Sequence, residues 1–183
     1  MRNIELKARL RDRANALSIC EAIGATFWNH IHQVDTYFKV PDGRLKLREA
    51  DPGGCELVYY RRPNIAGPKG CDYTIEPAEP SIKHLLVEAL EQLAVVDKIR
   101  TLYLWSNVRI HLDVVQGLGD FIEFEAVLDA THNDADGHTK LEMLTIAFGL
   151  KPDDHETWSY LDLVLAPSVQ QDHRNEWNPT SQG

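Results

Sequence analysis

Asn3-Ile4-Glu5-Leu6-Lys7-Ala8-Arg9-Leu10 alternates polar and apolar residues without a break. Successive side chains of a β-strand leave on opposite faces, so Asn3, Glu5, Lys7 and Arg9 share one face while Ile4, Leu6, Ala8 and Leu10 share the other. A single strand of this kind is an ordinary half-buried strand. Recurrence makes it informative. The period returns at Leu45-Lys46-Leu47-Arg48, Val58-Tyr59-Tyr60-Arg61-Arg62, Lys98-Ile99-Arg100, Val108-Arg109-Ile110-His111-Leu112-Asp113 and Phe121-Ile122-Glu123-Phe124-Glu125. Its charged phase collects Lys7, Arg9, Lys46, Arg48, Arg62, Lys98, Arg100 and Arg109, together with Glu5, Asp113, Glu123 and Glu125. Arg61 falls on the opposite phase and is expected to face solvent. Charges solvated around a globule need no such sorting. A polyphosphate held beside divalent cations needs both groups, since guanidinium and ammonium bind phosphate oxygens and carboxylates bind hard metals.

The rest of the chain reads as hairpins punctuated by helices. Asp12 is placed to cap a helix that Gly24 stops. Residues Gln33 to Val40 form a strand ended by Pro41-Asp42-Gly43, and Leu45 to Glu49 returns beside it. Asp51-Pro52-Gly53-Gly54 turns into the strand Cys55 to Arg62, and a Pro/Gly-marked loop leads to Asp72-Tyr73-Thr74-Ile75. Ser81 caps a helix with the apolar stripe Ile82, Leu85, Leu86, Ala89, Leu90 and Leu93. Strands follow at Asp97 to Trp105, Asn107 to Val115 and Phe121 to Leu128. Ala130 to His138 reads as an exposed loop, Leu141 to Phe148 as a helix, and Trp158 to Leu165 as a closing strand. One domain, 1–166, is expected, with a polar, mobile tail over 167–183. The fold class is α+β: antiparallel hairpins closing into a barrel with a polar interior, its outer apolar face covered by helices. This inverts the usual small barrel, whose interior is apolar. Buried cations without counter-charges would be costly, so such a lumen should be wet and functional.

Composition narrows the classes. At 183 residues, 43% hydrophobic and 26% charged, the chain matches a soluble domain. It has no run long enough to span a membrane and no signal-peptide core at the start, so a cytoplasmic location is expected. Cys20, Cys55 and Cys71 lack CxxC spacing and should be reduced. The net charge of -9 argues against a nucleic-acid partner, while an inward basic field can still hold a small anion. His30-x-His32 reads as an incidental loop pair, and the Gly117-Leu118-Gly119 run leads into a strand, unlike a dinucleotide fingerprint.

Asn3-x-Glu5-x-Lys7 resembles the ExExK signature of the CYTH, or triphosphate tunnel metalloenzyme, superfamily, which includes class IV adenylyl cyclases, thiamine triphosphatases and inorganic triphosphatases. Similar runs follow in order: Asp35-Thr36-Tyr37-Phe38, Leu45-Lys46-Leu47-Arg48-Glu49, Tyr60 with Arg62-Pro63, Lys98-x-Arg100, Arg109 with Asp113, Gly117-Leu118-Gly119, Glu123-x-Glu125 and Ser159-Tyr160-x-Asp162-Leu163. The likeness covers roughly residues 2 to 165 and implies an eight-stranded tunnel. Asn3 departs from the signature's first glutamate, and an amide brings an oxygen without a charge.

The resemblance and the residues together assign Glu5, Asp113, Glu123 and Glu125 to Mg²⁺ or Mn²⁺. Arg9, Lys46, Arg48, Arg62, Lys98, Arg100 and Arg109 fall to the phosphates, and Lys7 to the reacting end of the substrate. His111, between Arg109 and Asp113, is a candidate for phosphate or water, and Tyr60 for a ring. The expected activity is metal-dependent chemistry on a small triphosphate, whether nucleoside, thiamine or inorganic, in a monomer or homodimer. Water attacking the terminal phosphorus would release orthophosphate; the ribose 3'-hydroxyl attacking the α-phosphorus would release pyrophosphate. A noncatalytic polyphosphate or nucleotide sensor, its metal site weakened by Asn3, is the alternative.

Overall fold

The computed structural model describes residues 2–166, so the expected tail over 167–183 lies outside the described residues. Eight strands form the body: β1 (Arg2–Arg9), β2 (Thr26–Phe38), β3 (Arg44–Asp51), β4 (Gly54–Arg61), β5 (Lys69–Pro77), β6 (Gln92–Trp105), β7 (Val108–Val115) and β8 (Gly119–Val127). They close into an antiparallel barrel in the order β1-β5-β4-β3-β2-β6-β7-β8. Four helices lie outside: α1 (Arg13–Ala22), α2 (Ile82–Ala89), α3 (Asp134–Ala147) and α4 (Tyr160–Leu165).

The alternation of the first strand sets the architecture. Ile4, Leu6 and Ala8 turn outward with Ile110, Leu112, Ile122 and Phe124, and are buried under Ala16 and Cys20 of α1 and Leu141 and Leu144 of α3. The main apolar core is therefore outside the barrel wall, and the polar phase is left inside. Asp12 caps α1 through its side chain, which accepts from Asn15 N at 2.9 Å, and Gly24 ends the turn at φ 71°. Gly137 lets α3 approach β1, since a Cβ there would lie 3.0 Å from Ile4 Cγ1 and 3.2 Å from Leu128 Cδ2.

β1 seals the barrel. It pairs with β8 along Asn3 to Arg9 but with β5 only along Arg2 to Glu5. Its remaining edge is met by the segment before α4, where Glu156 N donates to Lys7 O at 2.8 Å and Ala8 bridges His155. The chain then enters α4 across one end of the barrel.

Several elements differ from the reading of the sequence. The expected closing strand over 158–165 is α4. Its start is a capping box: Ser159 Oγ accepts from Asp162 N, and Asp162 Oδ2 accepts from Ser159 N. α3 begins within the expected loop, at Asp134, because Asn133 caps it and Asp134 and Asp136 oppose its dipole. β2 and β6 start earlier than the alternation indicates, at Thr26 and Gln92, because each supplies the other's hydrogen-bond partners from Thr26↔Leu104 to Phe38↔Gln92. That extension ends α2 at Ala89, short of Leu93. His30 and His32 lie on β2, not in a loop, and bond separately to Thr101 and Asp97.

Candidate active site

The barrel register brings the charged phase of all six signature strands to one lumen, a cavity of about 240 Å³. Three groups of side chains organise it.

The first is built on Asp35 of β2, which is fully buried. Lys98 and Lys46 donate to its Oδ2 at 2.7 and 2.8 Å, and Arg48 donates to both oxygens at 2.8 and 3.2 Å. Burial alone would push Asp35 up; the Arg48, Lys46 and Lys98 charges outweigh it and hold the carboxyl well below its usual range. Burial, with Arg48 beside it, pushes Lys46 down to about 7 against the pull of Asp35. Tyr37 and Tyr60 share a hydrogen bond beside this group, so Tyr60 is an interior aromatic at the lumen wall.

The second group is Arg100 with Asp113. Arg100 Nε and Nη2 donate to the two oxygens of Asp113 at 2.7 and 2.6 Å, and Nη2 also donates to Glu123 at 2.9 Å. Tyr160 of α4 adds a third hydrogen bond to Asp113 at 2.9 Å. Both Asp113 oxygens are thus engaged by protein donors, which separates it from the other expected metal ligands. The ring of Tyr160 lies 3.9 Å from Lys7 Nζ and packs edge-on to Phe121, closing this end of the lumen.

The third group is acidic. His111, Glu123 and Glu125 place one ligand atom each within 4.8 Å of the others. Lys7 Nζ lies 4.0 Å from Glu123, and Arg62 donates to Glu5 at 3.0 Å. Burial, then the Glu123 charge, raises Glu5, and burial lowers Lys7. Burial opposes ionisation of Glu123 too, but Lys7 and Arg100 hold it well below the usual range. Asn3 Oδ1 and His111 Nδ1 are buried in the same lumen without a hydrogen bond. The two carboxylates offer oxygen ligands suited to a hard divalent cation, with the His111 nitrogen within 4.8 Å of them and Asn3 lining the same lumen.

Two expected phosphate ligands sit apart. Arg9 does not line the cavity: it donates to Leu118 O at 2.7 Å, pairs with Glu156 and stacks 4.3 Å from the Phe121 ring. It is the last residue of β1, where the alternation carries it past the lumen floor. Arg109 stands at the opposite mouth, 42% exposed and 3.6 Å from Glu125. Arg61 faces out and pairs with Asp42, as its phase indicates.

Asp35, Tyr160 and Lys69 carry site structure that a search for charged strand phases passes over. Asp35 lies on the lumen phase Gln33, Asp35, Tyr37, which mixes residue types. Tyr160 reaches in from a helix. Lys69 is buried opposite Glu5 in the β1–β5 register, donates to Ile65 O at 2.8 Å, and is lowered to about 8 by burial.

A closed antiparallel barrel with cations, carboxylates and a helix-borne tyrosine turned inward defines a tunnel-type barrel protein. The family model for the CYTH domain matches residues 1–160, and the chain belongs to that family. It is 25% identical over 175 residues to a Methanocaldococcus jannaschii protein whose name assigns it provisionally as an adenylate cyclase, covering 89% of this chain and 98% of that one. A protein from Pyrococcus horikoshii superposes with a TM-score of 0.75 at 24% identity, over 88% of this chain and 98% of its own. A Hippeastrum protein superposes with a TM-score of 0.64 at 17% identity, over 89% and 94%; its structure is described as revealing a dominant triphosphatase activity in a provisional adenylyl cyclase.

Proposed function

We propose that the protein is an enzyme that cleaves a small triphosphate with the help of a divalent cation. The observation that carries the proposal is the convergence of Lys46, Arg48, Lys98, Arg100 and Arg62 on one closed lumen, facing the acidic group of Glu5, Glu123 and Glu125. Carboxylates hold these cations in place, so an entering polyanion would meet donors already aimed inward. Preorganised charge of this kind acts without reorganisation as negative charge moves between phosphate oxygens. CYTH membership and the names of the relatives support the same class of chemistry.

Glu5, Glu123 and Glu125, joined by His111 and Asn3 Oδ1, would hold Mg²⁺ or Mn²⁺, which would supply charge neutralisation at the phosphate oxygens. Asp113 anchors Arg100 and Tyr160 in this arrangement. Lys46, Arg48 and Lys98 would orient the phosphate chain. Lys7, kept short of its ordinary basicity by burial and adjacent to Glu123, would hold a phosphate oxygen or take up the nucleophile's proton. Arg109 at the mouth would meet the chain as it enters. The proposal includes a cytoplasmic location and a monomeric or homodimeric state; no described helix is long and apolar enough to cross a membrane.

Incubation of the pure protein with ATP, thiamine triphosphate and inorganic triphosphate, each with Mg²⁺ or Mn²⁺, tests the proposal by phosphorus NMR. Orthophosphate assigns hydrolysis at the terminal phosphorus; pyrophosphate with cyclic AMP assigns cyclisation. Tight binding with no product would replace the proposal by a noncatalytic sensor, the reading that the neutral Asn3 favours.

A further inference from the structure

α4 stands between two cavities. Ser159 and Tyr160 at its start line the lumen, while Leu161, Asp162 and Leu165 line a second, more open cavity of about 620 Å³ beyond the tyrosine-closed end. Arg62 completes the wall and borders both cavities. Its side chain is 2% exposed; Nη1 donates to Glu5 at 3.0 Å, and Nη2 is buried with no hydrogen-bond partner among the described residues. A buried guanidinium donor left unpaired is costly, and an anion satisfies it. Two further arginines reach the second cavity, Arg44 from β3 and Arg61 from β4. Arg44 pairs with Asp162 and Arg61 with Asp42, each at 2.8 Å, so both are already neutralised and hold a further anion only weakly.

Resting on the triphosphate reading above, we propose that the second cavity is an orthophosphate site through which the cleaved terminal phosphate leaves, passed from the lumen by Arg62 to Arg44 and Arg61. The order of the groups carries the inference. A triphosphate that enters past Arg109 brings its leading phosphate against the tyrosine-closed end, and cleavage there leaves orthophosphate behind the larger product. With the mouth as the single way out, the larger product must go first. Arg62 opens another way for the small anion, because it borders both sides of the wall. Neutralised arginines suit a release site: they offset the charge of a departing anion without trapping it.

Orthophosphate binding is read from its phosphorus NMR line width in EDTA, which prevents turnover, with the lumen saturated by inorganic triphosphate. Broadening of the orthophosphate line is expected to persist at saturation. Arg61→Ala should weaken that binding about threefold, and Asp42→Asn, which frees Arg61 from its carboxylate, should strengthen it about as much. Both side chains are well exposed, and opposite shifts from them are not produced by damage to the fold; triphosphate affinity within about twofold of native reports an intact lumen. In turnover with Mn²⁺, orthophosphate should inhibit noncompetitively against triphosphate, since it leaves while the larger product still holds the lumen. Loss of the broadening once triphosphate is bound, binding indifferent to both substitutions, or competitive inhibition overturns the inference and leaves triphosphate binding standing. Absence of triphosphate binding by calorimetric titration overturns the triphosphate reading itself and this inference with it.

Discussion

Asp35 and Lys98 meet at 2.7 Å with each side chain 1% exposed, and the same carboxylate carries Lys46 and Arg48. One buried anion thus restrains three cations inside the lumen. Removing its charge leaves them to repel one another where burial limits screening. Asp35→Asn is expected to cost about 3–5 kcal/mol, read as a lowered urea midpoint at unchanged slope. Added inorganic triphosphate should recover more stability in the variant than in the native protein, because it supplies the missing negative charge to the folded state alone.

Lys46 gives the lumen a pH response. Its ammonium is lowered to about 7, and a bound polyanion favours the charged form. Below about pH 7 the cation is already present; above it, binding must take up a proton. Affinity for triphosphate should therefore fall as pH rises from about 7. The terminal phosphate of the ligand loses its own last proton near pH ~6, an effect common to all variants. Lys46→Arg, charged at every working pH, should flatten the fall, and titration calorimetry across pH 6 to 9 reads the difference.

Without a ligand the same group acts in the opposite sense on stability. Folding holds Lys46 below the ordinary lysine value of about 10.4, so the folded state pays to protonate it below pH 7, and that penalty fades as pH rises toward 10. The difference in thermal midpoint between the native protein and Lys46→Met should shrink and change in the native protein's favour over that window.

Tyr160 joins the helical end to the lumen through one hydroxyl. In Tyr160→Phe the ring stays beneath Lys7 while Asp113 loses one of its three donors. A loss of about 1 kcal/mol is expected from denaturant unfolding. Triphosphate cleavage should fall through kcat more than through KM, since Arg100 loses part of its anchor while the remaining phosphate ligands keep their places.

Glu125 is the most accessible member of the acidic group. Glu125→Gln keeps the shape and removes the charge, so Mn²⁺ affinity should fall at least about tenfold by calorimetric titration. Glu21→Gln, on the exposed side of α1, should leave it unchanged.

Much of the barrel is legible in the sequence because its lumen is charged. Strict period two at Asn3 to Leu10 and Val108 to Asp113 separates the two faces residue by residue, and the structure places Glu5, Lys7, His111 and Glu123 together as that phase requires. The signal weakens where lumen residues are of mixed type. Gln33, Asp35 and Tyr37 share a phase, yet an aspartate between an amide and a phenol carries no charge pattern of its own. In the sequence it stands out only within the family-like run Asp35-Thr36-Tyr37-Phe38, and its role shows in the three cations that converge on it. The Trp158 to Leu165 misreading has a different cause. Its short apolar run is compatible with strand or helix, and Ser159 with Asp162 decides by capping the helix end. Arg9 follows the alternation correctly but lies beyond the depth at which that phase still borders the cavity.

The position of β1 between β5 and β8 also bears on biogenesis. β1 has one of its two neighbouring strands made more than a hundred residues later, as the Arg9↔Phe121 pairing with β8 illustrates. Until β8 emerges, an open sheet edge and the apolar outward phase of β1 stay unshielded. The nascent chain should hence stay prone to misassociation until β8 arrives to cover that edge.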